Sequence, residues 1–575
     1  MNRLNTQPQK GFRKLFHNFG EKLQTAVTRF PLTFVAILGV AILFVLAIQT
    51  DTDNVYTRWI MAGVVSVFAT LAVYLFAEKK WSKLVTTIIN LVLMTLLVWL
   101  FSAFSENISD ANATQFTMLL VSAFTAIFFA GFISEKDSLR WWNSLQETLF
   151  NLLIAALFAG ILMGGLSLAL VSLYQLFGIK IDNDVYAYLA VFCFVLFMPS
   201  YFLSQISEVS TSGDKPSLTY SGIYKILGLY ILLPILAIYS VILYGYLVKI
   251  IATWELPNGW VSWLVSILGL AGFITMIILH PINGKGESKA AKNFSLFFPL
   301  IIIPLLILMF VGIVRRFSDY GITINRLLVL ILNIWFFGIS IYLFISRSRQ
   351  PKWILISLSI IALLSAVGPW SVMNVTEKSL KKEFSALLTE ANWTNSDADQ
   401  IKTLDREKQI RLSDVAYYLQ STYGIESIQP MFSVLGENVQ VGSLMNALGI
   451  SETEARTNYF SFNMSQTSFD FDVTDYKKAI YLWKNYDNDE LFSSESIHLK
   501  LENGNIKLVQ NNIETNILLK SSIEKGLLRK GNSLDAKELT VENPNYKLII
   551  FTLDGQRQVD DKVQINSING ILLLK

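Results

Sequence analysis

Arg315, Arg316, Asp319 and Arg326 are gathered in one short stretch, VGIVRRFSDYGITINR from Val311 to Arg326. A guanidinium stays charged and offers fork-shaped pairs of donors, so two of them beside a glycine-containing turn suit a phosphate or a carboxylate. An anionic lipid head group or a lipid-linked phosphate at the outer face would be the natural partner. The competing reading is structural: Arg315, Arg316 and Arg326 pair with Asp319 and with carboxylates further along the chain, and so dock a C-terminal domain. The docking reading is preferred.

Asp51 and Asp53, in the stretch TDTDN, are a second candidate, since a carboxylate in an outer loop can bind a metal or act as a base. Their loop, residues 50–56, is short, whereas enzymes that work on lipid carriers generally have a long structured loop there. Other chemistry is scarce. His17, His280 and His498 lie in three separate regions, which leaves little material for a histidine metal site or a Ser–His–Asp triad. His280, beside Pro281, reads as a capping or interfacial residue. NGKGESK, Asn283 to Lys289, lacks the spacing of a phosphate loop and follows no strand. Cys193 is the single cysteine, which excludes an intrachain disulfide framework and a multi-cysteine metal site. No metal and no cofactor is assigned.

The elements that must position these residues are mostly membrane spans. Of 575 residues, 53% are hydrophobic and 16% charged, and the mean hydropathy is +0.45. That composition belongs to the membrane class. Eleven apolar segments are long enough to cross a bilayer, near 31–49, 57–77, 84–104, 115–133, 148–177, 186–207, 222–252, 258–279, 295–314, 323–345 and 353–373. Trp59, Trp81, Trp99, Trp254, Trp260, Trp353 and Trp370 fall near their ends, where aromatic rings favour the lipid–water interface. Lysine and arginine divide unevenly among the connections. One alternating set, including residues 1–30, holds eighteen, and the other holds three, or six when Arg58, Lys249 and Arg326 are added. The first set is therefore cytoplasmic, and an odd number of spans places everything after Met373 outside the cytoplasm. Arg315 and Arg316 are two of the three loop charges on the outer side.

No span carries an aspartate or glutamate in its middle, the group that proton-coupled transport or intramembrane proteolysis usually needs. Asn90, Asn151, Gln175, Gln205 and Asn333 read as helix-to-helix hydrogen bonders, and Gly160 and Gly164 as a close-approach step. Ile133-Ser134-Glu135 recurs as Ile206-Ser207-Glu208, and Ser-Leu pairs recur at residues 138, 217 and 295, a weak sign of an internal repeat.

The remaining parts flank the bundle. Phe12, Leu15, Phe16, Phe19, Leu23, Val27 and Phe30 recur at helical spacing among Arg13, Lys14 and Lys22, which makes residues 1–30 a basic amphipathic cytoplasmic helix for a membrane surface. The alternative is packing on its own protein. Residues 31–373 form the bundle, and residues 374–458 read as a helical extracytoplasmic segment. From residue 459 the period changes to two, as in FSFNM, FDFDV, IHLKL and KLIIF, with an Asn503-Gly504 hairpin signal. Residues 459–575 are thus a β-rich extracytoplasmic domain. The whole reads as an α-helical polytopic membrane bundle followed by a small α+β soluble domain with an antiparallel sheet.

Ile231–Val265, the later RRFSDYGITINR and Gly368–Ser379 (GPWSVMNVTEKS) resemble the bacterial polytopic membrane family known as domain of unknown function 4153. The resemblance covers the fifth span through the start of the tail. It implies a bacterial membrane protein, here of the inner membrane, and carries over no catalytic residue. The expected function is a non-enzymatic envelope protein that presents an extracytoplasmic binding or sensing domain. Its expected partners are the lipid bilayer, anionic lipid or lipid-linked phosphate at the outer face, and an envelope protein through residues 374–575. The net charge of +3 is too small to imply nucleic acid. The alternatives are a lipid-carrier-dependent polytopic glycosyltransferase and a transporter or channel.

Overall fold

The computed structural model describes residues 8–50, 53–78, 80–105, 107–209, 222–253, 260–285, 288–347, 350–392, 404–424, 427–428, 459–464, 473–484, 490–494, 496–502, 505–510, 513–519, 523, 533–534, 539–557 and 563–575. Two compact units divide the chain, Met1–Leu380 and Lys381–Lys575.

The first unit is helical. In order it contains α1 (Pro8–Arg29), α2 (Pro31–Thr50), α3 (Asp53–Ala77), α4 (Lys83–Ser102), α5 (Asp110–Ile127), α6 (Ser138–Phe177), α7 (Asn183–Ala190), α8 (Met198–Gln205), α9 (Gly222–Lys225), α10 (Leu233–Thr253), α11 (Trp260–Lys285), α12 (Lys289–Tyr320), α13 (Ile324–Ile345), α14 (Lys352–Ala366) and α15 (Val372–Glu390), the last crossing the unit boundary. Short π-helical stretches, Val191–Phe197 and Ile226–Leu232, make α7–α8 and α9–α10 two continuous rods. Among the described residues, nine helical segments are long and apolar enough to cross a membrane. The other two of the eleven predicted spans are the 18-residue α5 and the 15-residue α14.

Local chemistry sets the ends of these helices. Ser82, Ser109 and Ser288 cap α4, α5 and α12 through their side chains, each accepting from an otherwise unpaired backbone amide. Asp137 does the same for α6 through Leu139 N–H, and Gly178 closes that helix at φ +68°, a left-handed turn that glycine adopts without penalty. Two helices outrun their predicted spans. α6 starts ten residues before 148, and α12 continues beyond 314 to Tyr320, because nothing in the charged flanks breaks the helix and both ends are capped outside the apolar stretch.

Packing forms two main cores. One joins Leu236, Leu268, Phe273, Phe298, Leu305 and Phe336 of α10 to α13, and the other joins Ala26, Phe30, Leu71, Phe132, Trp141 and Leu203 from the first half of the chain. Outside these cores, Leu153, Leu157, Ile161 and Leu168 of α6 and Ile238, Val241, Ile242 and Val248 of α10 lie exposed. Backbone hydrogen bonding within a helix lets such apolar side chains face lipid rather than water. α11 and α12 approach closely at Gly272, where an added Cβ would lie 1.9 Å from Phe298 Cζ. Phe298 is buried and held edge-on to Phe273 at 5.8 Å. Gly272→Ala is therefore expected to lower stability by about 1–3 kcal/mol through overpacking, and Phe298→Leu in the same chain should restore most of it. Denaturant unfolding in detergent measures both.

The second unit begins with the end of α15 and α16 (Arg406–Tyr423), and continues as β1 (Tyr459–Met464), β2 (Lys478–Lys484), β3 (Glu490–Ser494), β4 (Ile497–Glu502), β5 (Asn505–Gln510), β6 (Ile513–Ile517), β7 (Ser533–Leu534), β8 (Thr540–Asn543), β9 (Tyr546–Arg557) and β10 (Val563–Leu574). One sheet runs β2–β10–β9–β1–β7 with β8 on β9, and the other is the meander β3–β4–β5–β6. The alternation of IHLKL buries Ile497, Leu499 and Leu501 and exposes the residues between them, as period-two patterning requires. Glu502 pairs with Asn505 at the end of the β4–β5 ladder. The Asn503-Gly504 turn itself lies outside the described residues. Both sheets contribute to one core that includes Leu482, Leu499, Ile506, Leu548, Ile550 and Leu572.

Candidate functional site

The residues that the structure does bring together lie at one end of the helical unit, where α1, the end of α3, the α5–α6 connection, the end of α8 and the start of α14 meet. Arg29, the last residue of α1, is the centre. Its Nε and Nη2 bond Glu78 Oε1 and Oε2 at 2.6 and 3.0 Å, a bidentate pair, while Nη1 and Nη2 donate to the carbonyls of Ile206 and Ser207 at 2.7 and 3.0 Å. Glu78 Oε2 also accepts from Val209 N at 3.0 Å. A fork-shaped cation thus ties a carboxylate after α3 to the open carbonyls after α8, which suits the planar donors of arginine.

The same construction occurs a second time nearby. Lys352, at the start of α14, is buried, and its ammonium donates to Phe132 O at 3.2 Å, Ile133 O at 3.0 Å and also to Glu135 O. Gln350 Nε2 adds a bond of 2.9 Å to Lys136 O. Arg140 connects the two halves, with Nη1 on Glu135 Oε2 at 3.0 Å and Nη2 on Val209 O at 3.5 Å. The tripeptides Ile133-Ser134-Glu135 and Ile206-Ser207-Glu208 therefore perform one task at two places: each offers carbonyls at a chain turn, and each is capped by a cation from a distant helix. That recurrence was the sequence signal for this collar, although nothing in it named Arg29 or Lys352 as the caps.

Burial around the collar is tight. Trp141 and Trp142, in the first turn of α6, donate through Nε1 to Phe128 O at 3.0 Å and Ile277 O at 2.8 Å. A Cβ on Gly131 would lie 2.8 Å from the Val209 side chain. Because α6 begins early, Glu147 is inside the helix, and it accepts from Ser207 Oγ. Asn151, one turn on, donates to Gln205 O at 3.1 Å. Ser144, Glu147, Thr148, Asn151 and Ser207 are the polar residues lining a cavity of about 20 Å³, room for a single water. The site is water-sized, and its charges are engaged by protein groups. Such an arrangement locks helix ends together.

The Glu135 carboxyl is held below its ordinary value of 4.5, first by the Asp137 backbone amide, with the Lys136 amide and Arg140 adding to it and burial opposing. A carboxyl whose folded-state value is lowered contributes stability that is complete above its unfolded value and is lost as pH falls through the folded one. Glu135→Gln should therefore destabilise the bundle at neutral pH, and its deficit relative to the unsubstituted protein should shrink as pH falls below about 4.5. Unfolding midpoints of the two proteins across that range provide the check.

The residues singled out by sequence lie elsewhere. Arg315 and Arg316 are exposed on consecutive positions of α12, five residues before it ends. Cations are favoured there by the carbonyl end of the helix. Arg326, in α13, donates from Nη1 to Gly321 O at 2.9 Å and so closes the α12–α13 turn. The Asp319 side chain lies outside the described residues, as do Asp51 and the Asp53 side chain. α2 ends at Thr50 and α3 starts at Asp53. His280 is buried in α11 and its Nε2 has no partner among the described residues. His498 bonds Ser493 Oγ through Nδ1 at 2.9 Å. The second half of α1 packs on its own protein: Phe19 stacks on Tyr201 at 5.9 Å and Lys22 donates to Gln205 Oε1 at 3.1 Å.

A family model described as "Domain of unknown function (DUF4153)" matches residues 62–407, from within α3 to the start of α16, a longer range than the motifs alone covered. The chain is also similar to "Uncharacterized protein PM1469" of Pasteurella multocida (strain Pm70), with 23% identity over 384 residues, 66% of this chain and 62% of that relative. It thus spans less than two thirds of the relative's length. No solved structure matches.

Proposed function

The chain belongs to the DUF4153 family, and from that premise we propose that it is a non-enzymatic multi-pass protein of the bacterial inner membrane, which anchors a binding or sensing unit outside the cytoplasm. One observation carries the reading. Arg29, Arg140 and Lys352, from three of the basic connections, gather at one end of the helical unit, and basic residues at helix ends are retained on the cytoplasmic side. Residues 381–575 form a compact unit whose core is built from both of its sheets, so they have the makings of an independent binding module. A collar that fixes helix ends suits an anchor, which has to be rigid.

Reporter fusion provides the test. β10 ends at Leu574 and Lys575 is exposed, so the chain can be extended there. Alkaline phosphatase fused after Lys575 should be active in intact cells and a green fluorescent protein in the same place should be dark. The opposite pair of results would place the unit in the cytoplasm and end the proposal.

A further inference from the structure

Three carboxylates belong to the collar, and two of them have an arginine: Glu78 is paired with Arg29, and Glu135 with Arg140. Glu147 differs. Its Oε1 accepts from Ser207 Oγ, but no basic side chain pairs with it among the described residues. Arg29 comes near it only through the Ser207 carbonyl and gives its fork to Glu78. Glu147 is half-buried, and a carboxylate that is bonded but not neutralised is costly to hold away from water.

Four of the five polar side chains that line the cavity beside it offer acceptors alone. Thr148 Oγ1 donates its proton to Ser144 O at 2.8 Å and Ser207 Oγ donates to Glu147, which leaves lone pairs on both hydroxyls. Asn151 gives its Nδ2 to Gln205 O at 3.1 Å, so Oδ1 is the open end of the amide. Glu147 itself can only accept while it is ionised. Among the described residues no lysine, arginine or histidine lines the cavity, and its remaining walls are apolar. A water there would find little to donate to its own lone pairs, and an anion would be repelled. A cation meets each of these oxygens favourably.

We propose that this cavity binds a sodium ion. Hard cations take oxygen ligands, and Glu147 supplies the one negative charge that a monovalent ion balances. A volume of about 20 Å³ is the room of one water, which admits an ion of that size and disfavours the larger potassium ion. Calcium and magnesium need more carboxylates or more retained waters than the cavity can give. The ion joins Glu147, Thr148 and Asn151 of α6 to Ser207, in the segment after α8, and so tightens the collar where it has no cation of its own. The proposal goes beyond the anchoring role and holds on whichever side of the membrane the collar lies.

The full chain, purified in detergent with choline chloride as its salt, would be titrated with sodium chloride at constant ionic strength, and its thermal unfolding followed by tryptophan fluorescence. The midpoint should rise saturably with sodium and much less with potassium. Glu147→Gln removes the charge and keeps an acceptor for Ser207. Its midpoint should not respond to sodium, and in choline alone it should be at least as stable as the unsubstituted protein. Thr148→Val removes one oxygen at nearly constant volume, and should raise the sodium concentration at half effect about tenfold. Line broadening in sodium NMR, lost in Glu147→Gln, reads binding apart from stability. A midpoint indifferent to sodium, an equal rise with potassium, or an undiminished sodium response in Glu147→Gln would each overturn the proposal.

Discussion

Lys352→Met should lower the stability of the helical unit by about 3 kcal/mol, because it strips the donor from three carbonyls at once and leaves them with little access to water. The side chain is only 4% exposed, and its partners at Phe132, Ile133 and Glu135 are main-chain groups that cannot turn to find others. Methionine keeps the length and apolar character of the stem, so the effect isolates the ammonium. Lys352→Arg should recover only part of the loss, since a planar fork cannot meet carbonyls clustered around a single point as an ammonium does. Denaturant unfolding in detergent, followed by tryptophan fluorescence, measures the series. Trp141 and Trp142 report from beside the collar.

The second large effect concerns Arg29 and Glu78. Arg29→Met is expected to cost about 2–4 kcal/mol, for it unpairs a half-buried carboxylate and two carbonyls together. Glu78→Gln should cost less, because Arg29 keeps the carbonyls of Ile206 and Ser207. Both side chains retain some solvent contact, 17% and 24%, which screens the pair and holds the effect below that of a sealed one. In a double-mutant cycle the two losses should fall short of additivity, with a coupling of about 1–3 kcal/mol. Strict additivity would mean that the bidentate geometry contributes nothing. Arg29→Met should also make α1 more accessible to limited proteolysis, since that residue joins the helix to the turn after α8.

Most of the architecture was legible because a bilayer leaves the chain few options. A run such as Pro31–Thr50 must be helical once its backbone has no water to bond, and the alternation in IHLKL can bury one face only as a strand. The ends were harder to read. The apolar pattern starts a span at 148, yet the Asp137 cap starts α6 ten residues earlier and draws the Glu147 carboxylate into the helix. Arg315 and Arg316 looked like a break between spans, yet helix continues through them to Tyr320. The collar was the least legible part. Arg29 meets Ser207 across 178 positions and Lys352 meets Phe132 across 220, and no local pattern encodes such distant partners. Each of these residues, taken alone, was simply one more basic residue near a span end. The repeated Ile-Ser-Glu tripeptide was the single local trace, and it marked the acceptors of the collar while leaving its donors unnamed.

The claim on which the account rests is that the collar and residues 381–575 occupy opposite sides of the membrane. Cys193 is the single cysteine and is buried, so a Cys193→Ser background allows thiols to be placed one at a time. Lys136 beside the collar and Lys500 on β4 are both exposed, and each would be replaced by cysteine. A membrane-impermeant maleimide applied to spheroplasts should label Lys500→Cys at once and Lys136→Cys only after permeabilisation. Labelling of Lys136→Cys in sealed spheroplasts, with Lys500→Cys protected until they are opened, would contradict the account.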